Sequence, residues 1–255
     1  MQTKNRLTYV SNAGVLLELS NKKILIDPLC KSVIDFYKDT PKNIEKKIIS
    51  GTPPFHNIDI IFFTHIHGDH FDLKSTIKFL KNNHKTIIVS NEDVIGEIKK
   101  ELGNSNDNQL ITLNPSLYSG QKILLDNINI HAISMLHDGN EYHDVKNLGY
   151  FIEVEDKRIL HVGDAKAIQE NYMYLNSLKV DIDLLLAPFP YAGTPRGRRL
   201  IDQYIKPQKI AALHLPKMEL DKYQWIKTTK RSYKRVESQF IQTVFLEDIG
   251  EVIEI

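Results

Sequence analysis

The chain has 255 residues, of which 42% are hydrophobic and 25% charged, a globular balance that excludes a disordered or low-complexity polypeptide. Lys plus Arg total 33 against 32 for Asp plus Glu, so a net charge of +1 gives no global field that would draw the protein onto nucleic acid or an anionic membrane. Cys30 is the single cysteine, which excludes an internal disulfide and a thiolate-rich zinc site and fits a small apolar filler in a reducing compartment.

The opening Met1-Gln2-Thr3-Lys4-Asn5-Arg6-Leu7 runs into a strand-like stretch without the apolar core of a signal peptide. No later apolar run approaches the ~20 residues of a membrane span, so a cytoplasmic location without a membrane partner is expected. Three short strands come first, Leu7–Val10, Val15–Leu19 and Lys23–Asp27, with turns at Ser11-Asn12-Ala13-Gly14 and Ser20-Asn21, and an antiparallel meander is their natural outcome. Between Cys30 and Asn57 the pattern weakens to a loop with one short helix. Ile58–Thr64 is an apolar, β-branched and aromatic run suited to a buried strand, followed by a helix capped by Asp72 with Leu73, Ile77 and Leu80 on one face. Another strand and helix follow, Thr86–Ser90 and Asp93–Leu102, ended by the polar loop Gly103–Asn108. Strands are then expected at Lys122–Leu125, Ile128–Met135, Leu148–Val154 and Arg158–Val162. The last third alternates: helix Ile168–Leu178, strand Ile182–Pro188, helix Arg198–Ile205, strand Lys209–Leu213, helix Tyr223–Val236 and terminal strand Glu251–Ile255. Two β-blocks that each end in helices predict an α/β fold, a four-layer αββα sandwich of two mixed sheets with helices on the outer faces, formed by residues 1–255 as one domain.

Thr64-His65-Ile66-His67-Gly68-Asp69-His70 places three imidazoles and a carboxylate immediately after a buried strand, a density that packing does not require. Imidazole nitrogens and carboxylate oxygens suit zinc and other borderline divalent ions, and alternate residues of an extended turn can serve one metal while the next pair reaches a second. Gly68 lets the chain bend between the two sets. A zinc-protease helix, with two histidines four apart around a glutamate, is not what this short turn spells. Four clustered ligands cannot close two metal spheres, so others must come from elsewhere. His137, Asp164 and His214 each follow the C-terminal end of a predicted strand, where loops gather.

At these residues the chain resembles the metallo-β-lactamase superfamily, whose hydrolases carry His-x-His-x-Asp-His followed by an isolated His, an Asp and a final His in that order. Lys23-Ile24-Leu25-Ile26-Asp27-Pro28 is similar to the family's early strand and aspartate, and Ile249-Gly250-Glu251-Val252 to its C-terminal strand. The likeness is greatest to the compact, lactonase-like branch typified by ascorbate-6-phosphate lactonase-like metal-dependent hydrolases. The resemblance implies that His65, His67 and His137 hold the first metal, Asp69, His70 and His214 the second, and that Asp164 bridges them. His67 stands where the family's iron flavoproteins carry glutamate, which favours two zinc ions over a di-iron redox centre, with Mn2+ or Fe2+ as alternatives. Asp164 stands where β-lactamases commonly use cysteine, so antibiotic hydrolysis is not the expected reaction. Asp27 is expected to steady the metal-binding turn.

The implied chemistry is attack by a metal-bridging hydroxide, oriented by Asp69 and Asp164, on a small-molecule ester, lactone, thioester or phosphodiester. Nucleic acid is not an expected partner. The alternatives are a nuclease or phosphodiesterase of the same superfamily, an iron-dependent redox enzyme, or a metal-binding protein without turnover. The stretch between Asp164 and His214 is too short for the large inserted domain of one nuclease branch. Beyond the ligands, Asp138, His143 and Asp144 read either as proton donors or substrate contacts or as a solvated loop, and His161 either as a support of the ligands or as a packed residue. Tyr191 can donate to developing oxyanion charge, and Arg196, Arg198 or Arg199 can hold a carboxylate or phosphate, against the plainer reading of arginines at a helix start in solvent. His56, His84 and His131 carry no functional signal, and Lys227–Arg235 reads as the solvated face of a helix.

Overall fold

The computed structural model describes residues 5–255; Met1–Lys4, part of the opening read for the absence of a signal peptide, lie outside the described residues. Two compact units are present, one running to Asn114 and completed by Asp248–Ile255, the other Pro115–Glu247. No helix among the described residues is long and apolar enough to cross a membrane.

The first unit is built on a mixed seven-stranded sheet of β1 (Arg6–Tyr9), β2 (Val15–Leu19), β3 (Lys22–Ile26), β4 (Ile60–Phe62), β5 (Ile87–Ser90), β6 (Leu110–Thr112) and the terminal β14 (Val252–Glu254), ordered β14-β1-β2-β3-β4-β5-β6. The first three strands form the expected antiparallel meander, and β3 through β6 run parallel. Parallel strands need long crossovers, which here are the helices α1 (Lys42–Ser50), α2 (Leu73–Asn82) and α3 (Glu92–Leu102). Ile48, Ile77, Leu80, Val94, Ile95 and Ile98 of these helices pack with Leu16, Leu25, Ile61 and Ile88 of the sheet in one core. Asp72 caps α2 by accepting from Ser75 N at 2.8 Å, as its sequence predicts, and Asn91 caps α3.

The second unit repeats the plan. Strands β7 (Gly120–Leu125), β8 (Ile128–Leu136), β9 (Lys146–Val154) and β10 (Lys157–His161) form an antiparallel meander that continues in parallel through β11 (Leu184–Pro188), β12 (Lys209–Leu213) and β13 (Thr243–Phe245). Helices α4 (Met173–Leu178), α5 (Pro190–Gly193), α6 (Pro195–Leu200) and α7 (Trp225–Lys234) accompany this sheet. Leu175, Tyr191 and Leu200 of the first three pack with Ile133, Phe151, Leu160, Leu185 and Ile210. Two mixed sheets with helices establish the α/β class.

Several element boundaries differ from the sequence reading, each for a physical reason. The strand expected over Ile58–Thr64 pairs as a strand only at Ile60–Phe62, because Thr64 N donates to the Asp27 carboxylate at 2.8 Å instead of to the sheet. Asp27 itself leaves β3 at φ +44°. The helix expected at Arg198 begins at Pro195, where Thr194 Oγ1 accepts from Gly197 N at 3.1 Å and proline occupies the first helical turn. Within Ile168–Leu178, a 3₁₀ turn over Gln169–Tyr172 precedes α4. Strands β6 and β13, three residues each, were not anticipated.

Candidate metal centre

In the first unit the donors follow β4. His65 and His70 are fully buried, Asp69 is 8% exposed, and His67 is half-buried. They fall into two pairs: His65 Nε2 lies 3.1 Å from His67 Nδ1, and His70 Nε2 lies 3.7 Å from Asp69 Oδ2. In the second unit, His137 follows β8, Asp164 follows β10, and His214 follows β12 with φ +63°. One carboxylate oxygen, Asp164 Oδ2, stands 3.2 Å from His214 Nε2 and 3.9 Å from His137 Nε2. Each unit thus carries imidazole and carboxylate donors of the kind that can hold a metal ion. Two ligands of a tetrahedral zinc at the usual ~2.0–2.1 Å are about 3.3 Å apart, and the separations within each unit straddle that edge length. The Asp69–His70 and Asp164–His137 distances exceed an ordinary hydrogen bond. Donor chemistry and spacing therefore fit divalent cations.

The surrounding residues hold these donors in place. Asp27, fully buried, accepts from Thr64 N at 2.8 Å, Thr64 Oγ1 at 2.7 Å and His70 Nδ1 at 2.7 Å. That contact directs the opposite ring nitrogen of His70 toward Asp69, the arrangement in which a carboxylate fixes the tautomer of a ligating imidazole. Gly68 does not occupy the left-handed region; its requirement is space, because a Cβ there would meet Lys31 O at 2.6 Å. The bend expected from its sequence is thus a close approach, sealed by Lys31 N donating to Gly68 O at 2.7 Å. In the second unit the two ligand loops are laced together: Asp138 N donates to Asp164 O at 2.8 Å, Lys166 N to Leu136 O at 2.8 Å, and His137 forms an isolated bridge with Ala165. His137 Nδ1 lies 2.5 Å from Asp138 O.

Tyr191 corrects an expectation. Its buried hydroxyl donates to Ala165 O at 2.8 Å and lies 2.6 Å from the Tyr172 hydroxyl, so its proton braces the Asp164 loop and is not presented to an oxyanion. Burial above all pushes the pKa values of both tyrosines upward, which keeps both hydroxyls protonated. Arg196 is exposed and donates from Nε to Ala167 O at 3.2 Å. With Gln169, Glu170, Arg199, Gln203 and Tyr204 it lines an open groove of about 350 Å³ beside the loop that carries Asp164. Arg198 instead donates to Ala192 O and Ser232 Oγ at 2.8 and 3.2 Å. Asp138, His143 and Asp144 are exposed. His161 is buried and accepts from Gly163 N at 3.0 Å, and His131 is buried beside the Tyr174 hydroxyl at 3.0 Å. Cys30 is buried, and burial pushes its thiol up, as suits a filler.

Two asparagines escaped the sequence reading. Asn12 Nδ2 donates to Asp69 Oδ2 at 3.1 Å, and Asn147 Oδ1 accepts from Asp164 N at 3.0 Å while its Nδ2 donates to Val162 O at 3.1 Å. Asn147 sits inside an apolar strand, where a buried amide is a readable signal; Asn12 sits in a turn, where it is not.

Strands ending in loops that carry imidazole and carboxylate donors define the metal-dependent hydrolase class of the metallo-β-lactamase fold. The model of the β-lactamase superfamily domain matches residues 6–200, and the chain belongs to the metallo-β-lactamase superfamily. A UPF0173 metal-dependent hydrolase of Thermococcus kodakarensis is 25% identical over 98% of this chain and 99% of its own. Among solved structures, an isothiocyanate hydrolase from Delia radicum gut bacteria superimposes with a TM-score of 0.66 at 16% identity, covering 98% of this chain and 99% of its own. CmlA, a diiron β-hydroxylase from Streptomyces venezuelae, does so with a TM-score of 0.68 at 16% identity, and covers all of this chain but 55% of its own. At such identities the likeness establishes the fold.

Proposed function

We propose that residues 1–255 form one hydrolase domain in which His65, His67 and His137 hold one divalent cation, Asp69, His70 and His214 hold a second, and Asp164 serves both. Zinc is the proposed metal, with Mn2+ or Fe2+ as alternatives, because neutral imidazoles outnumber carboxylates and no thiolate contributes. The observation that carries the assignment is Asp164 Oδ2, a single oxygen facing both His137 and His214, which are assigned to different cations. When bound, two such ions lower the pKa of water from about 15.7 toward 7 and polarise a substrate oxygen.

The chain's own residues supply the rest. Asp69 and Asp164 orient the attacking water, and Asp27 holds His70 with the ring nitrogen opposite its own contact toward Asp69. Asn147 and Tyr191 fix the loop on which Asp164 sits. The substrate is a small ester, lactone, thioester or phosphodiester, with a lactonase-like activity as the first candidate. Arg196 and Arg199 give the groove beside the Asp164 loop the chemistry to take a carboxylate or phosphate.

The test is turnover of a panel of lactones, thioesters, simple esters, phosphodiesters, an isothiocyanate and model RNA, before and after chelation and with each metal restored. Hydrolysis of a small member that is lost on chelation and regained with zinc supports the reading. RNA cleavage that outpaces every small substrate would replace it with a nuclease. The likeness to a diiron β-hydroxylase raises an oxidative alternative, which activity restored by iron alone would support.

A further inference from the structure

The turn between β1 and β2, Ser11-Asn12-Ala13-Gly14, has the composition of a surface hairpin, yet all four residues are buried, with Ser11 and Asn12 at 0% exposure. Connecting turns normally run over the surface because their polar groups need water. Here the protein replaces that water. Val10 N and Ser11 N donate to Gly14 O, Ser11 Oγ donates to Asp27 O at 2.9 Å, and the Tyr9 hydroxyl donates to Asn12 O at 3.0 Å. Gly14 has no room for a side chain, since a Cβ would fall 2.5 Å from Asp27 O. The whole turn is thereby fixed to the backbone of the residue that supports His70.

Its product is the contact of Asn12 Nδ2 with Asp69, donating to Oδ2 at 3.1 Å and to the backbone O at 3.5 Å. The orientation of the carboxamide follows from chemistry: an ionised carboxylate only accepts, so the NH2 end must face Asp69 and the carbonyl end must face away from it. That carbonyl oxygen, Asn12 Oδ1, is buried without a hydrogen-bond partner among the described residues. A buried acceptor left unmatched destabilises a fold, and its persistence one carboxamide away from a metal ligand is understandable if a ligand completes it.

We propose that Asn12 is a positioning residue of the metal centre: its Nδ2 fixes the carboxylate of Asp69 toward the ring of His70, and its Oδ1 accepts from an O–H donor, water or a substrate hydroxyl, entering beside Asp69. The proposal rests on the two-cation reading for its role, but the Asn12–Asp69 contact is testable without metal. The first measurement is zinc titration of metal-free wild type, Asn12→Ala and the near-isosteric Asn12→Asp. Removing a partner that orients a metal ligand typically weakens metal affinity by about 10–100-fold, and a loss of that size at one of two sites is expected in both variants. Reduced thermal stability with unchanged zinc affinity at both sites would overturn the proposal, because packing alone explains it. The second measurement is the melting temperature of the metal-free exchange variant Asn12→Asp/Asp69→Asn, which restores the hydrogen bond with donor and acceptor reversed. Recovery above the Asn12→Asp single variant supports the contact; additive losses overturn it. If wild type takes up no zinc at all, the two-cation reading fails and with it the positioning role, while the exchange variant still decides the contact.

Discussion

Replacing Asp27 by asparagine separates the support of the fold from the preparation of the metal ligand. In wild type the fully buried carboxylate accepts from Thr64 N, Thr64 Oγ1 and His70 Nδ1. Asp27→Ala strands the Thr64 amide, whereas the Thr64 hydroxyl can turn to His65 Nδ1, 3.0 Å away, and accept from His70 Nδ1, 3.3 Å away. At about 1–3 kcal/mol for a buried unsatisfied donor, the loss is about 1–3 kcal/mol. With a shift of about 2–4 °C per kcal/mol for a chain of this size, the melting temperature falls by roughly 2–12 °C. Asp27→Asn keeps the volume and one carbonyl oxygen, which can still accept from Thr64 N. Its NH2 end then faces His70 Nδ1, which must become an acceptor and move the ring proton to Nε2, the nitrogen facing Asp69. Calorimetric melting should therefore show a smaller loss for Asp27→Asn than for Asp27→Ala, while zinc titration shows affinity reduced by about 10–100-fold at one site in both. An Asp27→Asn protein that binds two zinc ions with wild-type affinity would refute the proposed control of the His70 tautomer.

Three further outcomes are expected. Gly68→Ala must displace the Lys31 backbone, which a Cβ would approach to 2.6 Å; overpacking of this kind costs about 1–3 kcal/mol, and equilibrium denaturation should show it together with weaker zinc binding. Tyr9, Tyr172 and Tyr191 have their pKa values raised by burial. The stability they contribute is complete below the unfolded tyrosine value of about 10 and is lost as pH rises beyond it, because only the unfolded chain ionises freely. Denaturation midpoints at pH 8 and pH 11 should fall accordingly, and equal midpoints would contradict the burial. Arg196→Gln should raise KM by about tenfold for an anionic substrate, the order of one charge-assisted hydrogen bond, and leave a neutral substrate of the same reaction unaffected in steady-state kinetics.

The proposed ligand residues are legible because four of them crowd into one turn and the others close apolar strands, so that both period and position mark them. Asp27 was legible as the polar end of an apolar strand. Asn12 was not: serine, asparagine and glycine spell a hairpin turn whether it is solvated or buried, and burial is a property of the assembled fold. Tyr191 illustrates the opposite failure, a hydroxyl rightly placed near the site whose proton is taken by a neighbouring carbonyl that no local pattern reveals. Strands β6 and β13 are too short to show periodicity. The start of α6 is poorly legible because its cap and first-turn proline, Thr194-Pro195, run straight into the basic stretch Arg196-Gly197-Arg198-Arg199.

The central claim, that these seven donors hold two metal ions with Asp164 common to both, is tested most directly by elemental analysis of wild-type and Asp164→Ala protein, each stripped of metal and reconstituted with zinc. Close to two zinc ions per wild-type chain, with a clear reduction in the variant, is the predicted result. An unchanged count in the variant would contradict the shared role of Asp164, and wild-type protein that retains no metal would contradict the metal centre itself.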